Sequence, residues 1–254
     1  MTRPAKQRVR QSFERAATTY DSAATIQRGI CDELAGRLPA GLQADCVLDA
    51  GCGTGYALDF LRRRFPGAAL FALDISPAML RQAAGPCLRL AGDIEHLPLR
   101  DASVDFYWSS LTVQWCNLPG VLGEARRVLA GGGRLAVASL GPATFQELRH
   151  AFAGVDDYRH TLPFHDADEV GQMARRAGFA DAGVRCGHHT AHYADFRAML
   201  RAVKAIGANQ VGNGRRGGLM SRSAFARAEA ACEELRKPLG LPLTYDVITL
   251  EASG

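Results

Sequence analysis

Val47-Leu48-Asp49-Ala50-Gly51-Cys52-Gly53-Thr54-Gly55 is the stretch on which the reading of this chain turns. Cys46-Val47-Leu48 is a short apolar run, and a helical pattern through Leu58 and Leu61 follows the glycines, so the segment reads as strand, turn and helix. The G-x-G-x-G spacing lets the chain turn tightly and lets a ligand approach the backbone. Asp49 adds a carboxylate near the strand end, which suits a ligand carrying positive charge. A pyrophosphate, by contrast, prefers a helix N-terminus without a neighbouring anion. The dinucleotide fingerprint G-x-G-x-x-G is not matched either, because Tyr56 stands at its third glycine position.

Outward from this turn the rhythm repeats. Ala69 to Leu73 is a second apolar run ending at Asp74-Ile75-Ser76-Pro77, where Ser76 suits an N-cap and Pro77 the first helical position. Further strands are expected at Cys87 to Ala91, Val104 to Ser109 and Arg134 to Leu140, with a helix from about Pro119 to Leu129. Strands alternating with helices imply a parallel sheet covered on both faces. Beyond Leu140, helices are expected around Phe145 to Phe152 and over Asp166 to Ala177, a strand near Ala182 to His188, and a last strand near Tyr245 to Leu250. The fold class is α/β, a Rossmann-like seven-stranded, mostly parallel sheet with helices on both faces. On the N-terminal side Ile26, Ile30, Leu34 and Leu38 recur every four residues along a helix ending near Pro39. We read 1–40 as a helical lid, 45–190 as a cofactor-binding core, 194–237 as a helical cap inserted before the last strand, and 244–251 as that strand, all in one domain.

Three acids stand just past successive strand ends: Asp49, Asp74 and Asp93. Asp74 follows the glycine turn by roughly twenty residues, where a carboxylate can accept hydrogen bonds from both ribose hydroxyls. Singly, each acid is an ordinary cap or loop residue. Together on one sheet edge they fit a nucleoside cofactor, and the ammonium and sulfonium of S-adenosylmethionine supply the positive charge that Asp49 calls for.

These residues resemble the Rossmann-like class I methyltransferase family over about Val47 to Gly178. The resemblance implies that Asp49, Gly51 and Gly53 approach the methionine part, Asp74 the ribose, and Asp93 with Ile94 the adenine, with Cys52, Ile75, Met79 and Ser109 completing the cofactor set. Leu129-Ala130-Gly131-Gly132-Gly133 looks like the family's turn before its fifth strand, with Gly131 where proline is usual. Four further stretches widen the likeness to nearly the whole chain: Ser12 to Asp21 with Gln27, Leu111 to Cys116, Ser139 to Pro142, and Leu200 to Asn209. In order and spacing they resemble the malonyl-acyl carrier protein O-methyltransferases of biotin synthesis. That resemblance implies a malonyl-loaded acyl carrier protein as partner and Tyr20, Gln114 and Trp115 as the residues nearest the reaction. A Tyr packing its ring with its hydroxyl in water, or a core Trp, are the bland alternatives for two of these.

The remaining composition narrows the field. Hydrophobic residues make up 47% and charged residues 22%, so neither disorder nor a membrane protein is favoured, and no apolar run approaches the ~20 residues that span a bilayer. Met1 to Arg15 lacks the apolar stretch of a secretory signal, so the expected compartment is the cytosol. The seven cysteines are scattered without C-x-x-C spacing, and His188, His189 and His192 lack a supporting acidic or cysteine cluster, so no metal is expected. Net charge is only +4, yet Arg197 to Arg227 holds seven basic residues and no Asp or Glu. Within it Arg201, Lys204, Arg215 and Arg216 are the expected holders of a substrate carboxylate left unmethylated and of the phosphate on a carrier's pantetheine arm. The same face could steer docking of an acidic carrier. Nucleic acid is not the expected partner: Ser109-Ser110-Leu111 lacks the Asn/Asp-Pro-Pro-aromatic signature of amino-directed nucleic-acid methylases, and the basic run is not regularly interleaved with aromatics. A carboxylate nucleophile is already ionised at neutral pH and needs no general base.

Overall fold

The computed structural model describes residues 4–207 and 220–254. Seven strands form one sheet: β1 (Cys46–Ala50), β2 (Ala69–Asp74), β3 (Leu88–Ala91), β4 (Val104–Ser110), β5 (Leu129–Leu140), β6 (Gly183–Tyr193) and β7 (Leu241–Ser253). Their order is β3-β2-β1-β4-β5-β7-β6. The first five pair in parallel, whereas β7 runs antiparallel to both β5 and β6. Buried runs such as Val47, Leu48 and Ala50 in β1 and Phe106, Tyr107 and Trp108 in β4 are apolar on both faces because helices cover both. The mostly parallel seven-stranded sheet is as the sequence leads one to expect. The last two strands are longer than the apolar runs suggest, since β6 and β7 pair over eleven consecutive residue pairs from Gly183↔Glu251 to Tyr193↔Leu241.

Four of the described helices start where a short polar side chain caps them. Ser76 accepts from Met79 N at the head of α5 (Pro77–Gln82), and Asp166 and Glu169 form a reciprocal capping box on α8 (Ala167–Arg176). Asp195 and Ser221 likewise cap α9 (Phe196–Ala205) and α10 (Arg222–Glu233). Helices α4 (Tyr56–Arg64) and α6 (Leu118–Val128) follow β1 and β4, and α7 (Gln146–Phe152) follows β5. The N-terminal segment folds as three helices, α1 (Lys6–Ala16), the four-residue α2 (Tyr20–Ala23) and α3 (Thr25–Gly36). Only α3 carries the four-residue apolar period; α1 buries just Val9, Ser12 and Ala16. Helix α9 packs against α2, β6 and β7, and Ser12 Oγ donates to Gly207 O at 3.3 Å. The segment between β6 and β7 thus begins beside the N-terminal helices. Among the described residues no helix is long and apolar enough to cross a membrane.

Candidate functional site

Strand order reverses between β1 and β4, and the crevice outside the C-terminal ends of the strands at such a reversal is where open α/β sheets bind ligands. A cavity of about 1070 Å³, counted to its open mouth, lies there. Its floor is the glycine turn. Gly51 and Cys52 both donate from their backbone N–H groups to Leu73 O, at 2.7 and 2.9 Å, which ties the turn to the end of β2. Gly51, Gly53 and Gly55 all have positive φ, of 82, 55 and 86°, a region that only glycine occupies without strain.

The three strand-end acids all border this cavity. Asp49 is 2% exposed, and its Oδ2 has no partner among the described residues. Burial, and then the nearby Asp74, push its carboxyl up to about 8. Asp74 is buried too, and burial raises it against two backbone donors, Ser76 N at 2.7 Å and Gly53 N at 2.9 Å. At Asp93 burial opposes ionisation, but the Lys6 ammonium and the Glu95 N–H outweigh it and hold the carboxyl below its ordinary value. Lys6 contacts Asp93 and lies 3.1 Å from Glu95, so α1 is pinned across the end of β3.

Cys52, Ile75, Met79 and Ile94 also line the cavity, as do Tyr20 and Trp115. Phe13 of α1 joins the last two, with its ring centroid 6.3 Å from Tyr20 and 5.7 Å from Trp115. Burial first, then Asp74 and Asp21, raise the Tyr20 hydroxyl, which therefore stays a neutral donor. Two expected residues fall elsewhere. Ser109 turns away and donates to Ala50 O at 2.7 Å, bracing β4 on β1. Ser110 lines the cavity with Trp108 in its place, as strand alternation requires of residues two apart. Gln114 is buried in the short turn Val113–Trp115, donates to Leu111 O at 2.6 Å, and does not border the cavity.

Arg201 and Lys204 are exposed on α9 and do not line the cavity, while Arg215 and Arg216 lie outside the described residues. His189 lies 2.7 Å from Glu33 and His188 3.6 Å from Asp246. Among the described residues no group of three His, Cys, Asp or Glu side chains is disposed to hold a metal. Lys6, Arg28, Cys31, Thr54 and Thr112 border the cavity without having been singled out in the sequence. Only Arg28 and Cys31 share a local signal, a one-turn spacing on α3.

The Lys6 contact yields a measurable consequence. Lys6→Met is expected to cost no more than ~1 kcal/mol of global stability, because the pair is partly exposed. Hydrogen exchange of the α1 amides should nevertheless accelerate several-fold, and wild-type α1 should loosen in the same way as pH falls below the ordinary carboxylate range and Asp93 is protonated. Unchanged α1 exchange in the variant would show that the apolar contacts of Val9 and Phe13 suffice.

Comparisons with known proteins agree with this geometry. Residues 48–137 match the methyltransferase domain family. The chain is 62% identical over 251 residues to the malonyl-[acyl-carrier protein] O-methyltransferase of Dechloromonas aromatica, covering 99% of this chain and 95% of that protein. It is 38% identical over 250 residues to the biotin biosynthesis bifunctional protein BioHC of Cellvibrio japonicus, covering 96% of this chain and 49% of that longer protein. A solved SAM-dependent methyltransferase from Archaeoglobus fulgidus shares the fold, with a TM-score of 0.53 at 18% identity over 93% of this chain and 100% of that one. With a reversal-point cavity, three strand-end acids and near-full-length identity to one group of enzymes, the chain belongs to the malonyl-[acyl-carrier protein] O-methyltransferase family of S-adenosylmethionine-dependent methyltransferases.

Proposed function

We propose that this protein transfers the methyl group of S-adenosylmethionine to the free carboxylate of a malonyl thioester carried on an acyl carrier protein, giving the methyl ester in an early step of biotin synthesis. The observation that carries the reading is the 62% identity over 99% of the chain, which extends well beyond the methyltransferase core into α1 to α3 and α9. The cavity fits the cofactor: Asp49 offers a buried carboxylate oxygen without a partner to an ammonium, and the glycine turn leaves backbone open beside it. When bound, S-adenosylmethionine supplies a methyl group on a positively charged sulfur.

The chain's own residues then have a limited task. The substrate carboxylate is ionised at neutral pH, so they need only orient one of its oxygens and exclude water, and orientation alone can supply ~7–11 kcal/mol in favourable cases. Tyr20, a neutral donor facing the cavity beside Trp115 and Phe13, is the residue we assign to that orientation. A malonyl thioester has one free carboxylate, the nucleophile itself. Arg201, Lys204, Arg215 and Arg216 therefore have no second, unmethylated carboxylate to hold. Tyr20→Phe should lower kcat roughly 10- to 100-fold, the worth of one hydrogen bond to a charged group, with cofactor affinity within about threefold of wild type. Unaltered turnover would leave Tyr20 a packing residue.

We assign the exposed cations Arg201 and Lys204 to carrier docking, with helices α1 to α3 closing over the cofactor. Arg201→Glu combined with Lys204→Glu should raise KM for malonyl carrier protein about tenfold or more at low salt, and the gap should shrink as salt rises. KM for malonyl coenzyme A should move far less. Equal KM values for the carrier in both proteins would rule this face out.

The function itself is tested with methyl-labelled cofactor and a panel of malonyl carrier protein, malonyl coenzyme A, free dicarboxylates and RNA. Label is expected in a base-labile ester on the malonyl thioesters, fastest on the carrier. Equal labelling of free dicarboxylates would favour a general small-acid methyltransferase.

A further inference from the structure

Two residues that border the cavity each carry a buried polar atom without a partner among the described residues, and the two are of opposite character: Asp49 Oδ2 and Arg28 Nε. Arg28 projects from α3 onto the flank of the glycine turn. Its guanidinium carbon lies 5.0 Å from the centre of the Tyr56 ring, and its Nη2 lies 3.2 Å from Asp21 Oδ1. Both supports are themselves fixed: Thr54 donates to Asp21 at 2.7 Å, and Tyr56 donates to Asp32 at 2.9 Å. The arginine is thus held by its face and by one terminal nitrogen, while its Nε has no partner among the described residues. Cys31, three residues further along α3, lies near enough to Asp49 that burial and that carboxylate push its thiol up to about 12. The helix that carries Arg28 therefore runs close beside the buried acid.

A guanidinium edge matches a carboxylate in shape and in paired donors. A buried N–H without an acceptor is costly, so whatever fills the cavity should supply one. The amino-acid end of S-adenosylmethionine carries an ammonium and a carboxylate on one carbon, the two complements that Asp49 and Arg28 lack. We propose that Arg28 binds the α-carboxylate of the cofactor while Asp49 faces its ammonium, which makes the lid helix α3 part of the cofactor site. This inference rests on the cofactor reading above. It also gives the lid a chemical reason to close: the bound amino acid bridges α3 to the end of β1.

The test compares three ligands by calorimetry on wild type and on Arg28→Gln. S-adenosylhomocysteine has the complete amino-acid end, decarboxylated adenosylmethionine keeps only the ammonium, and methylthioadenosine has neither group. The substitution should weaken S-adenosylhomocysteine roughly 10- to 100-fold and the other two by less than about threefold. Arg28→Lys, which keeps the charge but loses the paired edge, guards against a glutamine variant that fails to fold, and should show the same selectivity with a smaller loss. Equal weakening of all three ligands would make Arg28 a tether for the lid, and an unchanged S-adenosylhomocysteine affinity would remove it from the site. Either result overturns the inference while leaving the cofactor reading intact, whereas a wild-type protein that binds none of the three refutes the cofactor reading itself.

Discussion

Asp49→Asn should abolish cofactor binding, with a loss of at least ~100-fold in affinity for S-adenosylhomocysteine, and should at the same time stabilise the empty protein at pH 8. Both effects come from one carboxyl. Asp49 is 2% exposed with an unpartnered oxygen, and burial and Asp74 together move it from the ordinary 3.8 to about 8. Below pH 4 the group is protonated in the folded and unfolded chains alike and costs nothing. Between about 4 and 8 the unfolded chain has released the proton while the folded chain still holds it, so folding stability falls as pH rises through that window. Above pH 8 the full penalty of a buried charge is present. Asparagine has no charge to bury, so its advantage over wild type should be nearly absent at pH 4 and on the order of 5 kcal/mol at pH 8, at about 1.36 kcal/mol per unit of displacement. Thermal melts across this range check the sign.

Binding should run in the opposite sense. An ammonium beside Asp49 favours the ionised carboxylate, so cofactor affinity should rise between pH 6 and 8, and binding at pH 7 should release most of one proton. Calorimetry in two buffers of different ionisation enthalpy measures that proton directly. A variant that binds as wild type does, or a stability gap that is the same at every pH, would exclude Asp49 as the charged partner.

Gly51→Ala is the second change with a large expected effect, a loss of roughly 2–4 kcal/mol in stability together with tenfold or weaker cofactor binding. Gly51 sits at φ 82°, where an L side chain costs ~1–2 kcal/mol before it touches anything. An added Cβ would also stand only 2.6 Å from Thr112 Cβ and closer still to the rest of that side chain. Thr112 cannot swing away freely, because its hydroxyl donates to Gly51 O at 3.0 Å. The displaced threonine lines the cavity, so the damage reaches the site. Gly53→Ala is the control. Its φ of 55° carries the conformational cost, but nothing lies within 4 Å of its added Cβ, so stability should fall by only about 1–2 kcal/mol. Equal melting temperatures for the two variants would mean that Thr112 yields easily.

The core of the site was legible because its signals are local. The glycines at alternate positions, the acids at strand ends, and Ser76 at a helix start each act on residues within a few positions along the chain. At the same local level, the alternation that puts Trp108 on the cavity side assigns Ser110 to it and turns Ser109 toward Ala50. Gln114 was beyond local reading. Its polarity suggests a ligand, but it bonds to the backbone of its own loop.

What the sequence determined alone is the parallel α/β sheet with a turn suited to a cationic nucleoside, because backbone sterics, short continuous apolar runs and the four-residue apolar period act between near neighbours. What only the tertiary structure decided is the other half of the cavity. Lys6 meets Asp93 across 87 positions, α3 brings Arg28 to the flank of the glycine turn, and away from the cavity His189 meets Glu33 across 156. Contacts of that range leave no period in the chain; they exist because α1 to α3 fold back over the strand ends and bury their apolar faces there.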